Sequence, residues 1–210
     1  MPVNHPVFAR FFHLMSRPME REVGQHRGEL LAGLRGRVVE VGAGNGLNFA
    51  HYPNTVEEVA AVEPEPYLRA KAQEAAAQAS VRVTVVDAEA DALPLDDASF
   101  DAAVASLVLC SVPEPARALA EVRRVLTPGG ELRFFEHVRS AAPRKARVQD
   151  ALDRSGIWPR LIGGCHCARD TRAAIEASGF RVEAVRSLCV GPAWMASNPH
   201  VLGRAVVPAP

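Results

Sequence analysis

Three acids stand at or near the ends of three successive β-rich runs, and the first comes just before a cluster of glycines. The run VVEVGAGNG (38–46) carries Glu40 two residues before Gly42, with Gly44 and Gly46 at alternate positions after it. The run EEVAAVE ends on Glu63, and VRVTVV is followed by Asp87. Glycines let a chain turn sharply and let a ligand approach the main chain with no Cβ between. A dinucleotide fingerprint, G-x-G-x-x-G, needs its third glycine at position 47, which is Leu47. Glu40 would also repel a pyrophosphate. An acid beside a glycine turn suits a cationic ligand instead. Glu63 can accept both hydroxyls of a ribose, and Asp87 can accept from an adenine amino group. Ribose, adenine and a positively charged tail together describe S-adenosylmethionine (SAM).

Two further groups could do chemistry. His137 follows the fifth β-rich run, and histidine is the side chain suited to moving protons near neutral pH, so it is a candidate base; its alternative is a hydrogen bond to its neighbour Glu136. The loop GGCHC brings Cys165, His166 and Cys167 together. Three neighbouring ligands on one short loop rarely wrap a tetrahedral ion, so no metal is expected there. Cys165 instead borders an acceptor pocket, or is a small buried apolar residue.

Alternating elements must position these groups. Strands are expected at 37–42, 57–63, 81–86, 100–107 and 131–138. Helical stretches are expected at 46–51, 65–78 and 114–126, the last stopped by Pro128-Gly129-Gly130. That order predicts parallel βαβ units and an open Rossmann-like α/β sheet with helices on both faces. A Pro- and Arg-rich segment (143–160) then leads to a helix at 169–178, a strand at 180–189 and an extended stretch at 193–203. The last two close the sheet with an antiparallel strand. Asn45 and Asn48 either add polar contacts to the ligand or cap the following helix. Residues 1–34 read as two helices broken at Pro18. Val7, Phe8, Phe11, Phe12, Leu14 and Met15 fall there at helical spacing, forming a lid or simply packing on the sheet.

The bounds agree with an ordinary globular domain. The 210 residues are 48% hydrophobic and suit a single domain: lid 1–34, core 36–138, substrate side and closing strands 139–210. Lys plus Arg equals Asp plus Glu at 24 each, so no net field draws the chain to nucleic acid or an anionic membrane. No apolar run is long enough to span a bilayer, and no signal-peptide core opens the sequence. Four cysteines form no evident disulfide framework, which points to reduced thiols and a cytoplasmic protein.

The segments VVEVGAGNG, VAAVEPEP, VVDAEADALPLDDASFDAAVASLVLCSV and ALAEVRRVLTPGGELRFFEHV resemble the class I SAM-dependent methyltransferases, in the branch with the methyltransferase 11-type core. Beyond that core, FFEHVRS and GGCHCARDTRAAIEASGF are similar to methyltransferase-like thiol S-methyltransferases. The resemblance implies that Glu40, Gly42, Ala43, Gly44 and Gly46 line the methionine end of SAM and that Glu63 takes the ribose. It implies that Pro64 packs on the adenine, which Asp87 meets by its side chain and Ala88 by backbone, and that Ser106 and Leu107 close the pocket toward the acceptor. Product would leave with S-adenosylhomocysteine. The acceptor is expected to be a small, apolar molecule, a thiol first, with Phe11 and Cys165 against it and His137 as base. O-, N- or C-methylation of a phenol, quinone or lipid amine is the alternative. A SAM-binding regulatory module without catalysis is the alternative of another class.

Overall fold

The computed structural model describes residues 6–208. One sheet holds seven strands: β1 (Gly36–Val41), β2 (Val56–Val62), β3 (Arg82–Val86), β4 (Phe100–Ser106), β5 (Leu126–His137), β6 (Arg181–Cys189) and β7 (Pro199–Val206). Their order is β3-β2-β1-β4-β5-β7-β6. The first five run parallel, and β7 lies antiparallel between β5 and β6. The helices are α1 (Pro6–Leu31), α2 (Pro66–Ala76), α3 (Pro115–Val125), α4 (Pro143–Ser155), α5 (Ile157–Leu161) and α6 (Thr171–Ala177).

The central strands are runs of β-branched and small residues because both of their faces are covered. Val39 and Val41 of β1 point into one core with Leu119 and Val122 of α3 and Ile175 of α6. Val38 and β5's Phe135 point into the other, with Leu30 and Leu31 of α1 and Ala72 of α2. Each of the fully buried Val, Leu, Ile and Phe side chains contributes roughly 1.5–3 kcal/mol. In α3, Ala118, Leu119, Val122 and Val125 are buried at three- and four-residue spacing, and Pro115 opens the helix where its missing N–H costs nothing. The strand order reverses between β1 and β4, so their C-terminal ends open the crevice where ligands bind in such sheets.

Several local expectations change. The preface is one helix that runs through Pro18. Pro18 is exposed, so its lost hydrogen bond lies on the wet side, and side-chain ties before and after it hold the helix together. The stretch 46–51 is only a single 3-10 turn at Phe49–His51. β5 starts at Leu126 and not at 131: Leu126 pairs with Phe100, and a register shift absorbs the Pro-Gly-Gly turn as a bulge. The Pro- and Arg-rich segment folds as α4 and α5. The last strand sits at 199–206, later than expected, because its register is set by pairing with both β5 and β6. Residues 1–5 of the expected lid lie outside the described residues.

Candidate active site

Gly42, Gly44 and Gly46 all adopt positive φ, of 67°, 58° and 79°. A methyl group on Gly42 would overlap Val108, and one on Gly46 would lie 2.8 Å from Ala75 and from the Phe49 ring. Side chains at these two positions would be strained twice over, by conformation and by space. The turn they make is held by acids. Glu63 Oε2 accepts the Gly44 N–H at 2.8 Å and Oε1 accepts the Glu65 N–H at 2.9 Å. Burial pushes the Glu63 carboxyl up to about 7.

Glu40 is sealed inside, on the face of β1 opposite Val39 and Val41. Its carboxylate accepts from Asn48 Nδ2 at 2.8 Å and from the Tyr52 hydroxyl at 2.7 Å. Burial pushes it, too, up to about 7. Asn48 in turn accepts from Arg27 Nη1 at 2.7 Å, and Asn45 Nδ2 donates to Ser16 Oγ at 2.9 Å. Both asparagines therefore tie α1 to the glycine loop; Asn48 makes no capping bond to the turn that follows it. Asp87 is paired with Arg69 at 2.9 Å, and Arg69 also donates to the carbonyl of Pro64 at 2.7 Å. Ala88 packs against the core beside them.

Across the crevice, the loop after β4 is organised by Glu136. This fully buried carboxylate accepts the backbone N–H groups of Val108, Leu109 and Cys110 at 3.0, 2.9 and 3.1 Å. Burial raises its pKa, and those three bonds oppose the rise. Arg169 clamps the same loop, donating to the carbonyls of Leu109 at 2.6 Å and Val112 at 2.7 Å. Leu107, before it, has φ of 61°, a left-handed conformation that a non-glycine residue adopts only when its surroundings impose it. Ser106 Oγ is buried with no hydrogen-bond partner among the described residues.

The clamped loop delivers Cys110 to His137. His137 Nδ1 lies 3.4 Å from Cys110 Sγ and 3.4 Å from Cys165 Sγ. Hydrogen bonding from Cys110, and then His137, pulls the Cys165 thiol down to about 5, while Cys110, bonded to Cys165 and buried, is pushed well up. The buried indole N–H of Trp158 also favours the ionised form of Cys165. The His137 ring rests on His200, with centroids 4.5 Å apart. Burial, and then His137, lowers His200 to about 3. The three neighbours of the GGCHC loop split two to one: His166 Nδ1 is 3.9 Å from Asp153 and Cys167 Sγ is 3.6 Å from the same carboxylate, whereas Cys165 turns to His137.

α1 spans both halves. The Phe12 ring lies against Gly44, where an added methyl group would be 3.5 Å away, and Phe8 fills the space beside Gly163. Phe8 and Phe12 stack one helical turn apart, with centroids at 6.0 Å. Phe11 does not face the site. It is 54% exposed, because one residue's rotation about the helix axis carries it to the outer face. A surface hollow of about 680 Å³ lies at the opposite end of the sheet, between α3 and α6, and brings no acid, thiol or histidine together.

The structure thus collects Ala43, the three glycines, Glu63, Pro64, Asp87 and Ala88 on one side of the crevice, and Ser106, Leu107, His137 and Cys165 on the other. Glu40, expected to line the ligand, is buried beneath the glycine turn with both oxygens taken by Asn48 and Tyr52. Sequence reasoning missed Glu136, Cys110 and Arg169 as organisers of the second side. The only signal was an acid in a β-rich run, FFEH, between apolar neighbours that must themselves be buried.

Comparison with known proteins adds the following. The family described as "Methyltransferase domain" matches residues 39–134. Thiol S-methyltransferase TMT1B of Mus musculus is 33% identical over 98% of this chain and 88% of its own. Phosphatidylethanolamine N-methyltransferase of Cereibacter sphaeroides is 34% identical over 57% of this chain and 59% of its own. A SAM-dependent methyltransferase structure from Thermotoga maritima superposes with a TM-score of 0.70 at 22% identity, covering 96% of this chain and 98% of that one.

Proposed function

The chain belongs to the class I SAM-dependent methyltransferases, and from that premise we propose that its acceptor is a small apolar thiol, methylated on sulfur. One observation carries the acceptor. The similarity to a thiol S-methyltransferase runs over 98% of the chain, so it includes the GGCHC loop and the closing strands, whereas the lipid N-methyltransferase matches 57%. The sulfur- and imidazole-lined rim at Cys110, His137 and Cys165 supports it.

The residues fit SAM. Three positive-φ glycines leave a main-chain cradle that a Cβ would fill, and a carboxylate stands at the end of β2. SAM supplies an electrophilic methyl group on a sulfonium cation. In this reading Glu63 receives the ribose hydroxyls, Pro64, Asp87 and Ala88 border the adenine, and Gly42, Ala43, Gly44 and Gly46 border the methionine end. Glu40 acts from beneath, fixing the loop through Asn48. Ser106 and Leu107 set the acceptor against the methyl group, and Phe12 and Phe8 exclude water. Alignment of this kind supplies roughly 7–11 kcal/mol of the barrier reduction. A thiol has an ordinary pKa of about 8.5, so a thiolate fraction exists near neutrality, and His137 stands where the remaining proton must go.

The acceptor is a small molecule and not a nucleic acid, in keeping with the balanced charge. No helix among the described residues is long and apolar enough to cross a membrane. The free thiols of Cys110, Cys165, Cys167 and Cys189 suit the reducing cytoplasm. The test is a panel of small thiols, phenols and amines incubated with labelled SAM. Methylated thiols are expected, with kcat/KM rising toward each thiol's own pKa. Transfer only to phenols, quinones or amines, with thiols inert, overturns the acceptor.

A further inference from the structure

Cys110, His137 and Cys165 come from three separate places, the loop after β4, the end of β5 and the loop after α5, yet their ligand atoms all lie within 4.8 Å of one another. Around a tetrahedral zinc, with Zn–S of about 2.3 Å and Zn–N of about 2.0–2.1 Å, neighbouring sulfur and nitrogen atoms stand about 3.5 Å apart. Both sulfur-to-Nδ1 separations here are 3.4 Å. We propose that Cys110, His137 and Cys165 hold a zinc ion through two thiolates and one imidazole nitrogen, and that its open fourth position takes the sulfur of the acceptor.

Convergence from three directions is what the consecutive Cys165-His166-Cys167 set lacks. Two thiolates and an imidazole are soft and borderline ligands, which favour zinc over calcium or magnesium. Three protein ligands, with the fourth position left to an exogenous group, are the pattern of catalytic zinc. The surrounding groups hold the ligands in place. Glu136 accepts the Cys110 N–H, and Arg169 grips the carbonyls on either side of it. The backbone N–H of His166 donates to the Cys110 carbonyl at 2.8 Å, which fixes the two cysteine loops to each other. Such outer groups orient ligands before the ion arrives.

The acceptor half of the inference rests on the thiol reading. A thiol that ligates zinc gives up its proton to solvent, because a coordinating thiol is deprotonated outright. The bound sulfur keeps the lone pair that forms the new S–CH3 bond as the methyl-to-sulfonium bond breaks, and the sulfonium becomes a neutral thioether. The methylated acceptor, now also a neutral thioether, is a poorer zinc ligand and leaves. No oxidant or reductant enters. His137 Nδ1 is then a ligand, and the metal takes over the work of a base.

The experiment loads the full-length chain, reduced and stripped with chelator, with zinc or cobalt(II) alone and no SAM. One zinc per chain after gel filtration is expected, as is a thiolate-to-cobalt charge-transfer band. Cys110→Ser, Cys165→Ser and His137→Asn should each lower zinc affinity by more than about 10-fold, because losing even an outer group that orients a ligand costs about 10- to 100-fold. Cys189→Ser, on exposed β6, should retain it. Circular dichroism separates metal loss from unfolding, and the cobalt spectrum of the unaltered chain decides the matter even where a variant fails to fold. Sub-stoichiometric zinc, a cobalt spectrum without the thiolate band, or equal retention by folded Cys110→Ser and Cys165→Ser variants overturns the site. A Cys110–Cys165 disulfide in the reduced preparation does so as well. Adding a small alkyl thiol to the cobalt form should change its spectrum, and an unchanged spectrum removes the fourth-ligand role. Metal binding with no thiol in the panel methylated leaves the zinc site standing and ends the thiol reading.

Discussion

The two sides of the crevice are built on opposite plans. On the cofactor side the chemistry-bearing groups are carboxylates, and their partners come from the glycine turn and the strand ends beside it: Glu40 is satisfied by Asn48 and Tyr52, Glu63 by Gly44 and Glu65. On the acceptor side they are sulfur and imidazole, brought from positions 110, 137 and 165 by one buried acid and one arginine. The first side is a local turn that the tertiary structure encloses. The second exists only because the tertiary structure exists. The two meet where Gly42 gives way to Val108 and again under α1, so a defect on one side is transmitted if it moves that contact or the helix.

The sharpest way to break the contrast is to remove the organiser of the acceptor side. Glu136→Ala strands three N–H donors at once, two buried and one partly so, and a buried donor left unpaired costs about 1–3 kcal/mol. A loss of several kcal/mol in urea unfolding is expected, with Cys110 becoming open to alkylation in the native state. Glu136→Gln keeps one acceptor oxygen, enough for Val108 and Leu109 but not also for Cys110, and should recover part of the loss. A Glu136→Ala chain of near-normal stability would mean that the loop is held by something else.

The cofactor side should instead declare itself through pH. Burial raises Glu40 from 4.5 to about 7 and Glu63 likewise. A carboxyl raised on folding contributes stability that is fully present below the unfolded pKa of 4.5 and lost as pH rises through 7. For Glu40 that contribution is about 3 kcal/mol, at about 1.36 kcal/mol per pKa unit. His200 works in the other direction. Lowered from 6.5 to about 3, it contributes stability present above 6.5 and lost as pH falls toward 3. Glu40→Gln removes one ionisation while its amide can still bond Tyr52 and Asn48. The variant should therefore resist urea better than the unaltered chain at pH 8 and no better at pH 4.5. The same difference at both values would show that Glu40 does not ionise across that window.

Glu63→Ala tests whether the cofactor side is independent. Losing hydrogen bonds to a charged acceptor costs about 1.5–3 kcal/mol, or some 10- to 150-fold in SAM affinity. Calorimetry reads that loss, and the reactivity of Cys110 and Cys165 should stay unchanged. A SAM dissociation constant that does not move in the folded variant takes Glu63 out of the site.

This division also explains what the sequence disclosed. The glycine turn, Glu63 and the parallel order were legible because each is written in a short contiguous run whose period and turn residues have local causes. Pro18 misled because local helix breaking was outweighed by the ties from Ser16 and Arg27 to the glycine loop, which no local pattern records. The Cys110–His137–Cys165 cluster was illegible for the opposite reason. Its members are 27 and 28 residues apart, no local pattern joins His137 and Cys165 to Cys110, and the visible Cys165-His166-Cys167 run drew attention to a set that does not converge. Phe11 fell to a matter of phase: a helical period says that one face is apolar, and here apolar residues occupy both.

That phase gives the smallest and most selective effect. α1 reaches the two sides with different rings, Phe12 over Gly44 and Phe8 beside Gly163, while Phe11 points outward. If the helix is a lid, trimming each inward ring should affect only the side it covers. Phe12→Ala should raise the KM for SAM about 5-fold, corresponding to about 1 kcal/mol, and leave the KM for the thiol nearly unchanged. Phe8→Ala should do the reverse. Phe11→Ser should shift neither by more than about 0.5 kcal/mol, as for a surface substitution away from any built feature. Steady-state kinetics with each substrate varied in turn measures all three. If Phe11→Ser weakens SAM as much as Phe12→Ala does, the helix presents another face to the crevice during turnover. If all three variants leave both KM values in place, α1 is a packing element and the water-free site must be closed by the loops alone.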